Sequence, residues 1–421
     1  MTHPGSFRLR ARPPYVPRMR NRCHTRPGRP GLLMLGFLVA GQACVRVAPP
    51  VPGDRPSAIS PAVLEAHRGD GADPYVRIGV LNTKLLPFSG AGSRAEVIAA
   101  RILGSDLDIV ALSEVFSETG RSRLVELLGE SFPHRVEYIG SRKLHRFDSG
   151  LMVFSRLPLL PIPRAVPHET RRVRGRTAAG SDPDSVAGFV RFTEFGDCAR
   201  SDCWAAKGVG YVRVATAEAH EEASRLHLFF THMQASYGSD DARRQLETAG
   251  VRSGQRSEMA EFIDAVAGSD LERGEQALLV GDLNVDGSAD ITGGVPALTA
   301  AVADERQRML DELAPAFPAG VSDTWRDHGP SEDPGLTFPV RKPSVRFDYV
   351  LVSPPADDGG PCVMSIRRAW GLDVRRAPGT IDVSVERRVT DHVGLVVDLL
   401  PRSGPCGPLA DATGDGSLGA R

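Results

Sequence analysis

The stretch Leu279-Val280-Gly281-Asp282-Leu283-Asn284-Val285 decides how the chain is read. An apolar run breaks at Gly281 and presents a carboxylate and an amide two residues apart. That is the end of a buried strand. Side chains alternate along a strand with period 2, so Asp282 and Asn284 are expected on one side of it. The pair suits phosphoryl chemistry. A carboxylate serves a hard cation or a water proton, and an amide can donate to a non-bridging oxygen. Taken alone, the stretch reads more plainly as a strand end entering an Asx turn. Its company changes the reading.

Other apolar runs close in the same way. Ile78-Gly79-Val80-Leu81 ends at Asn82, Ile109-Val110-Ala111-Leu112-Ser113 at Glu114, and Leu228-Phe229-Phe230-Thr231 at His232. Arg346-Phe347-Asp348-Tyr349 and Thr390-Asp391-His392 flank two further runs. Strand ends gathered at one rim make a site on a rigid scaffold. Asp391 beside His392 is a compact pairing of a metal ligand with a base, and Asp348 is placed to orient the imidazole. His232 by itself reads as a core imidazole with its N–H on a carbonyl, and Lys207 as a solvated lysine at a strand start. The sharper readings are a donor to developing charge for His232 and a substrate contact for Lys207.

The domain is expected over residues 75–401. Strands are expected at 76–82, 108–112, 135–139, 150–155, 186–193, 208–214, 226–231, 347–352 and 394–399, besides the Asp282 strand. Helices are expected from a Ser93 cap to about 103, at 120–129, at 304–313 and, longest, at 240–267, weakened near Gly250 and Gly254. Residues 161–186 read as an exposed basic insertion carrying Arg171, Arg172, Arg174 and Arg176, a solvated loop rather than a binding patch. There is no internal repeat and no strict strand–helix–strand alternation. An α/β fold of two packed sheets with helices outside them fits better than a doubly wound sheet.

Hydrophobic content of 41% and charged content of 24% in 421 residues are ordinary for a globular protein with a sizeable core. Residues 1–30 carry eight Arg and no acidic residue, followed by the short apolar run 31–40 and the small residues before Cys44. That is a secretory signal over 1–43, too short to span a bilayer. Cys44 makes it double as a lipoprotein signal, so lipidation at Cys44 and ordinary cleavage both stand. Residues 44–74 read as a Pro- and Gly-rich linker and 402–421 as a flexible tail. Loss of the signal takes eight positive charges with it, so the formal −1 becomes −9. An acidic chain is a poor non-specific partner for nucleic acid. Export implies an oxidising compartment for Cys198, Cys203, Cys362 and Cys406. Four cysteines allow three pairings. Cys198 and Cys203 are close enough to clip one loop, which would leave Cys362 with Cys406.

Together the quoted stretches resemble the endonuclease/exonuclease/phosphatase superfamily. The resembling stretches are Leu81-Asn82-Thr83, Leu112-Ser113-Glu114-Val115-Phe116, Gly281-Asp282-Leu283-Asn284, Phe347-Asp348-Tyr349-Val350 and Thr390-Asp391-His392, in the family's order. Within it the chain looks most like the neutral sphingomyelinase branch, including bacterial sphingomyelinase C. That likeness rests on Asp148-Ser149-Gly150, Ala206-Lys207-Gly208, His232-Met233-Gln234-Ala235 and the cysteine pair ahead of Lys207. Ser113 stands where many members carry Gln, and Ser149 replaces a Gly. The resemblance implies a four-layer, DNase I-like sandwich of two mixed sheets flanked by helices. It implies hydrolysis of sphingomyelin to ceramide and phosphocholine, with a DNase-like nuclease and a non-catalytic surface lipoprotein as alternatives. It implies Mg²⁺, with Mn²⁺ or Co²⁺ as substitutes, on Glu114, Asn82 and Asp391. His392, oriented by Asp348, would activate water, Asp282 would position the water or a second cation, and Asp391 would hold metal or brace His392. Asn284 and His232 would donate to developing charge, and Lys207 would touch substrate. The implied partner is phospholipid at a membrane surface, met by a monomer secreted or held at the outer surface. The family's membrane-inserting hairpin would fall within 369–381.

Overall fold

The structure is a computed structural model. It describes residues 76–87, 90–140, 147–162, 186–192, 198–216, 225–237, 241–288, 304–330, 332–339, 344–353, 362–369 and 389–400. All of them belong to one compact unit, Pro56–Arg421. In chain order the elements begin with β1 (Val76–Leu85), α1 (Ala91–Leu103), β2 (Ile109–Val115), α2 (Glu118–Leu128), β3 (His134–Val136), β4 (Met152–Ser155) and β5 (Leu159–Leu160). They continue with β6 (Ala187–Arg191), β7 (Gly208–Ala215), β8 (Arg225–His232), α3 (Ala242–Glu272) and β9 (Gln276–Asp282). Then come α4 (Glu305–Leu313), β10 (Ser322–Asp323), α5 (Thr324–His328), β11 (Asp348–Val352), β12 (Cys362–Ala369) and β13 (Gly394–Leu400).

The strands form two mixed sheets. One has the order β12-β13-β1-β2-β4-β3, and the other β10-β11-β9-β8-β7-β5 with β6 also on β7. In each, one parallel pair sits among antiparallel neighbours: β1 with β2, and β8 with β9. Period 2 explains why the strands look apolar throughout. Leu278 and Val280 of β9 enter the core between the sheets, together with Ile78 and Val80 of β1, Leu228 and Phe230 of β8, Val350 and Val352 of β11, and Leu395 and Val397 of β13. The alternate residues Ala277 and Leu279 face outward onto Met259, Phe262 and Ile263 of α3 and Met309 and Leu313 of α4. On the other sheet Val110, Leu112, Met152 and Phe154 pack against Ile98 and Ile102 of α1 and Leu124 and Leu128 of α2. Strands buried on both faces have no polar side to show. The result is four layers, helix–sheet–sheet–helix.

Two expectations are corrected, and strand β12 was not expected. Ser93 does not cap α1; the helix starts at Ala91, and the Ser93 hydroxyl donates back to the Gly90 carbonyl at 3.0 Å. Helix α3 is not weakened at Gly250 or Gly254 and runs 31 residues from an Asp241 cap. A Cβ on either glycine would meet nothing within 4 Å, so both lie on the open side. The buried side is held by charge: Arg252 forks onto Glu305 at 2.7 and 2.6 Å, and Arg256 reaches Glu305 and Glu312. Strand β12 has no legible alternation. It is an edge strand whose exposed Arg367 pairs with Asp398 across the ladder, as charged edges do. The basic insertion lies almost wholly outside the described residues.

Glu305 neutralises two guanidinium groups that are only 1% exposed. Removing one partner of a buried ion pair leaves an uncompensated charge and costs about 3–5 kcal/mol. Glu305→Ala is expected to lower the unfolding free energy by that amount, seen as a lower urea midpoint at an unchanged m-value.

Candidate active site at the end of the inter-sheet core

The site is where the core between the sheets stops being apolar. Asn82 continues the inward parity of Ile78 and Val80. His232 continues that of Leu228 and Phe230, Asp282 that of Leu278 and Val280, and Asp348 precedes Val350 and Val352 on the same face. In register, His232 stands opposite Asp282 and Asp348 opposite Asp282, so β8, β9 and β11 present one polar row. Gly281 makes the row possible. Its φ is 137°, and a Cβ there would lie 2.0 Å from the Thr231 carbonyl oxygen.

The Asn82 amide donates to Glu114 Oε1 and to Asp282 Oδ2, each at 2.9 Å, and so joins the two sheets. By parity Glu114 belongs on the outer face. Its positive φ of 57° turns the chain and brings the carboxylate to Asn82. His392, in the turn before β13, places Nδ1 2.8 Å from Asp348 Oδ2 and Nε2 3.6 Å from Asp282 Oδ2. Lys207, 4% exposed, donates to the Met233 carbonyl and to His232 Nε2 at 3.1 Å, and pairs with Asp202 at 3.2 Å.

The two imidazoles differ in charge. Burial, with the positive charges of Lys207 and His392, holds the His232 pKa well below its usual value, so the ring is neutral. Because Lys207 donates to Nε2, the proton sits on Nδ1, a buried atom with no hydrogen-bond partner. Burial also opposes charge on His392, but Asp348 and Asp282, the hydrogen bond to Asp348 and the charge on Asp391 outweigh it and carry the pKa up to about 10. Asp282 is raised to about 7, first by burial and then by Asp348 across the ladder, against the pull of His392, Asn82 and Lys207.

Of the residues singled out in the sequence, Asn82, Glu114, Lys207, His232, Asp282, Asp348 and His392 converge. Two others sit differently. Strand β9 ends at Asp282, and Asn284 adopts a φ of 53°, so period 2 does not apply to it. Its amide donates to the Met233 carbonyl at 3.2 Å, and its own N–H caps Asp282 Oδ1. Asp391 neither braces His392 through a hydrogen bond nor joins Glu114; its carboxylate is engaged by Lys84. Adjacent residues in an extended turn point apart, and Lys84 was not foreseen. Asp202 was also missed. It lies in the loop closed by the Cys198–Cys203 disulfide, and it accepts from the Ala235 N–H and the Tyr237 hydroxyl besides binding Lys207. The Cys362 side chain, Cys406, Cys44 and nearly all of the hairpin segment lie outside the described residues.

The donor set fits a hard divalent cation. Glu114 Oε1 accepts from Asn82, whereas Oε2 has no protein partner among the described residues. Asp348 Oδ1 is buried and equally unpartnered. Asp282, Asp348 and His392 also bring one potential ligand atom each within 4.8 Å of one another. Their 2.8 Å contact, however, is a hydrogen bond that already spends His392 Nδ1. Glu114, with Oε2 open, is the better oxygen donor for a magnesium-like ion, while the Asn82 amide turns its N–H groups to the carboxylates and its oxygen to the Lys84 N–H.

Residues 81–392 match the Endonuclease/Exonuclease/phosphatase family. The chain belongs to that family. It is 23% identical over 220 residues to sphingomyelinase C of Bacillus cereus, a match that takes in 49% of this chain and 54% of that protein. The chain thus spans about half the length of the curated relatives it matches. Among solved structures it is similar to a beta toxin mutant from Staphylococcus aureus with bound magnesium ions, at 17% identity and a TM-score of 0.46, covering 77% of this chain and 99% of that one. It is also similar to truncated Caenorhabditis elegans TDP2, at 13% identity and a TM-score of 0.48, covering 77% and 98%. The endonuclease/exonuclease/phosphatase assignment agrees with the two-sheet topology described above.

The site makes the metal-free fold pH-sensitive. Both His392 and Asp282 hold a proton more tightly in the folded chain than in the unfolded one, so stability falls as pH rises. The His392 contribution is complete below the ordinary histidine value of about 6.5. It is lost as pH rises through about 10. The Asp282 cost begins above the ordinary carboxylate value of about 3.9. It is complete above about 7. In EDTA the urea midpoint is expected to fall across this range. Asp282→Asn should flatten its lower part and His392→Gln its upper part. An unchanged slope in both variants would refute the assignment.

Proposed function

We propose that the chain is a secreted, divalent-cation-dependent phosphodiesterase that hydrolyses sphingomyelin to ceramide and phosphocholine. The observation that carries the chemistry is the meeting of the His232–Asp282–Asp348 row with His392 and Glu114 at one end of the inter-sheet core. The substrate reading leans on the likeness to sphingomyelinase C. Family membership alone also allows a nuclease; the formal charge of −9 expected once the signal segment is removed speaks against that alternative.

Glu114 would hold the cation, and Asn82 would join it only through an Oδ1 that here accepts the Lys84 N–H. Bound there, it supplies Lewis-acid charge to a phosphoryl oxygen and to the departing alkoxide. His392 takes the proton of the attacking water at Nε2, with its ring fixed by the Nδ1–H donated to Asp348. Asp282, 3.6 Å from Nε2, orients that water. Lys207 supplies positive charge toward the phosphoryl oxygens while Asp202 keeps it in place. His232, neutral and accepting from Lys207, fixes the lysine instead of protonating the leaving group.

His392 with a pKa near 10 is a poor base at neutral pH. It becomes one when the negative charge around it is offset, so magnesium is expected to lower the His392 titration midpoint, followed by imidazole NMR in substrate-free protein. The function itself is tested by offering the protein with Mg²⁺ sphingomyelin vesicles, plasmid DNA and an inositol phosphate. Phosphocholine release abolished in His392→Ala is the expected result. Nicked plasmid without phosphocholine would move the assignment to the nuclease, and no turnover by folded protein would end the enzymatic reading. Glu114→Gln should weaken the magnesium dependence; unchanged magnesium affinity would remove Glu114 as a ligand.

A further inference from the structure

The Asp348–His392 pair is assembled from two sheets. Asp348 opens β11 in one sheet, and His392 lies two residues before β13 in the other. A hydrogen bond of 2.8 Å between elements of different layers needs something to set their distance. The loop Leu336-Thr337-Phe338-Pro339, which the sequence did not single out, touches both members. Thr337 Oγ1 accepts the N–H of Phe347 at 3.1 Å and of Asp348 at 3.3 Å. The Thr337 carbonyl accepts the N–H of Val393, next to His392, at 2.8 Å. The Phe338 ring packs on the His392 imidazole with centroids 4.9 Å apart, and on Phe347 at 5.4 Å.

The loop is itself fixed. Phe338 and Val345 exchange backbone hydrogen bonds at 3.0 Å, and the Thr337 N–H also donates to the Val345 carbonyl. Thr337 is fully buried. One residue therefore meets the backbone on both sides of the pair, and the next covers a face of the imidazole.

We infer that Thr337 and Phe338 are positioning residues, which hold the Asp348 carboxylate and the His392 ring in register across the two sheets. The geometry stands by itself; its consequence for turnover rests on the proposed hydrolase reading. Ångström-scale misplacement of a reacting group can cost ~100-fold in rate. A loosened clamp therefore lowers kcat and leaves KM alone, because neither side chain is needed to bind substrate.

The test uses Thr337→Val, which keeps shape but removes the acceptor, and Phe338→Leu, which removes the ring. Thr337→Ser and Phe338→Tyr are the conservative controls. The first readout needs no substrate: the downfield proton resonance of His392 Nδ1–H, assigned by its loss in His392→Gln. It is expected to move upfield or broaden in Thr337→Val and Phe338→Leu and to return in Ser and Tyr variants. The second is phosphocholine release, with kcat expected to fall roughly tenfold at unchanged KM, inside the ~100-fold bound. A resonance unmoved in folded variants overturns the inference. Should Thr337→Val not fold, Phe338→Leu, with its ring only partly buried, decides alone. Should the wild type turn over no substrate, the function reading fails while the resonance still decides this one.

Discussion

One amide holds the site together. Asn82 sits at the end of the inward face of β1, and its two N–H groups reach carboxylates from both sheets, Glu114 and Asp282. Without it two acidic groups would approach with little between them, and a third, Asp348, stands directly across the ladder from Asp282. Like charges opposite one another destabilise a sheet. The cluster persists because a large apolar core below it and outer cores on both sides fix the strands regardless. Local strain of this sort, held by a scaffold that over-determines it, is what a preorganised electrostatic site requires.

This arrangement also decides how much could be read in advance. Asn82, His232, Asp282 and Asp348 were legible because each extends an alternation whose other members are apolar and inward. The two-sheet architecture was legible for the same reason. What escaped depended on backbone conformation or on distant pairing. Nothing in the string says that Glu114 turns inward at a positive φ, or that Asn284 leaves the strand and spends its amide on a carbonyl. Asp391 looked like a ligand because it neighbours His392 in sequence, yet its partner is Lys84, some three hundred positions away. Helix α3 looked weak because of its two glycines, yet both lie on its open side, and the charges on its buried side are compensated from α4.

The opposite end of β8 shows why residue type alone is a poor guide. His227 there contacts Glu275 at 2.9 Å, lies 3.7 Å from Asp270, and bonds the Tyr211 hydroxyl at 2.8 Å. By inventory this trio matches the Asp282–Asp348–His392 group. Its charges, however, are answered: Arg213 faces Asp270 and Arg225 faces Glu275. At the other end of the same strand, Asp348 Oδ1 and Glu114 Oε2 have no protein hydrogen-bond partner among the described residues. Carboxylate oxygens left over after internal pairing, not the presence of histidine and carboxylates, separate a candidate cation site from a structural network.

The two site histidines carry that logic to the proton. They approach the same Asp282 oxygen, at 3.7 Å from His232 and 3.6 Å from His392. One ring has a lysine donating to it and is held neutral; the other has two carboxylates around it and is held charged. Environments that push paired groups apart assign them different tasks. His232 cannot gain a proton at Nε2 without displacing Lys207, whereas His392 gains and loses one with the charge of its surroundings. Under the proposed function, the proton that moves on this side of the site would be that of His392. Anything that changes the negative charge at Asp282, a bound cation or an arriving phosphodiester, acts on that proton directly. On the proposed reading, cation binding and the availability of His392 as a base would be one electrostatic event, coupled by a scaffold that keeps the carboxylates and imidazole close together.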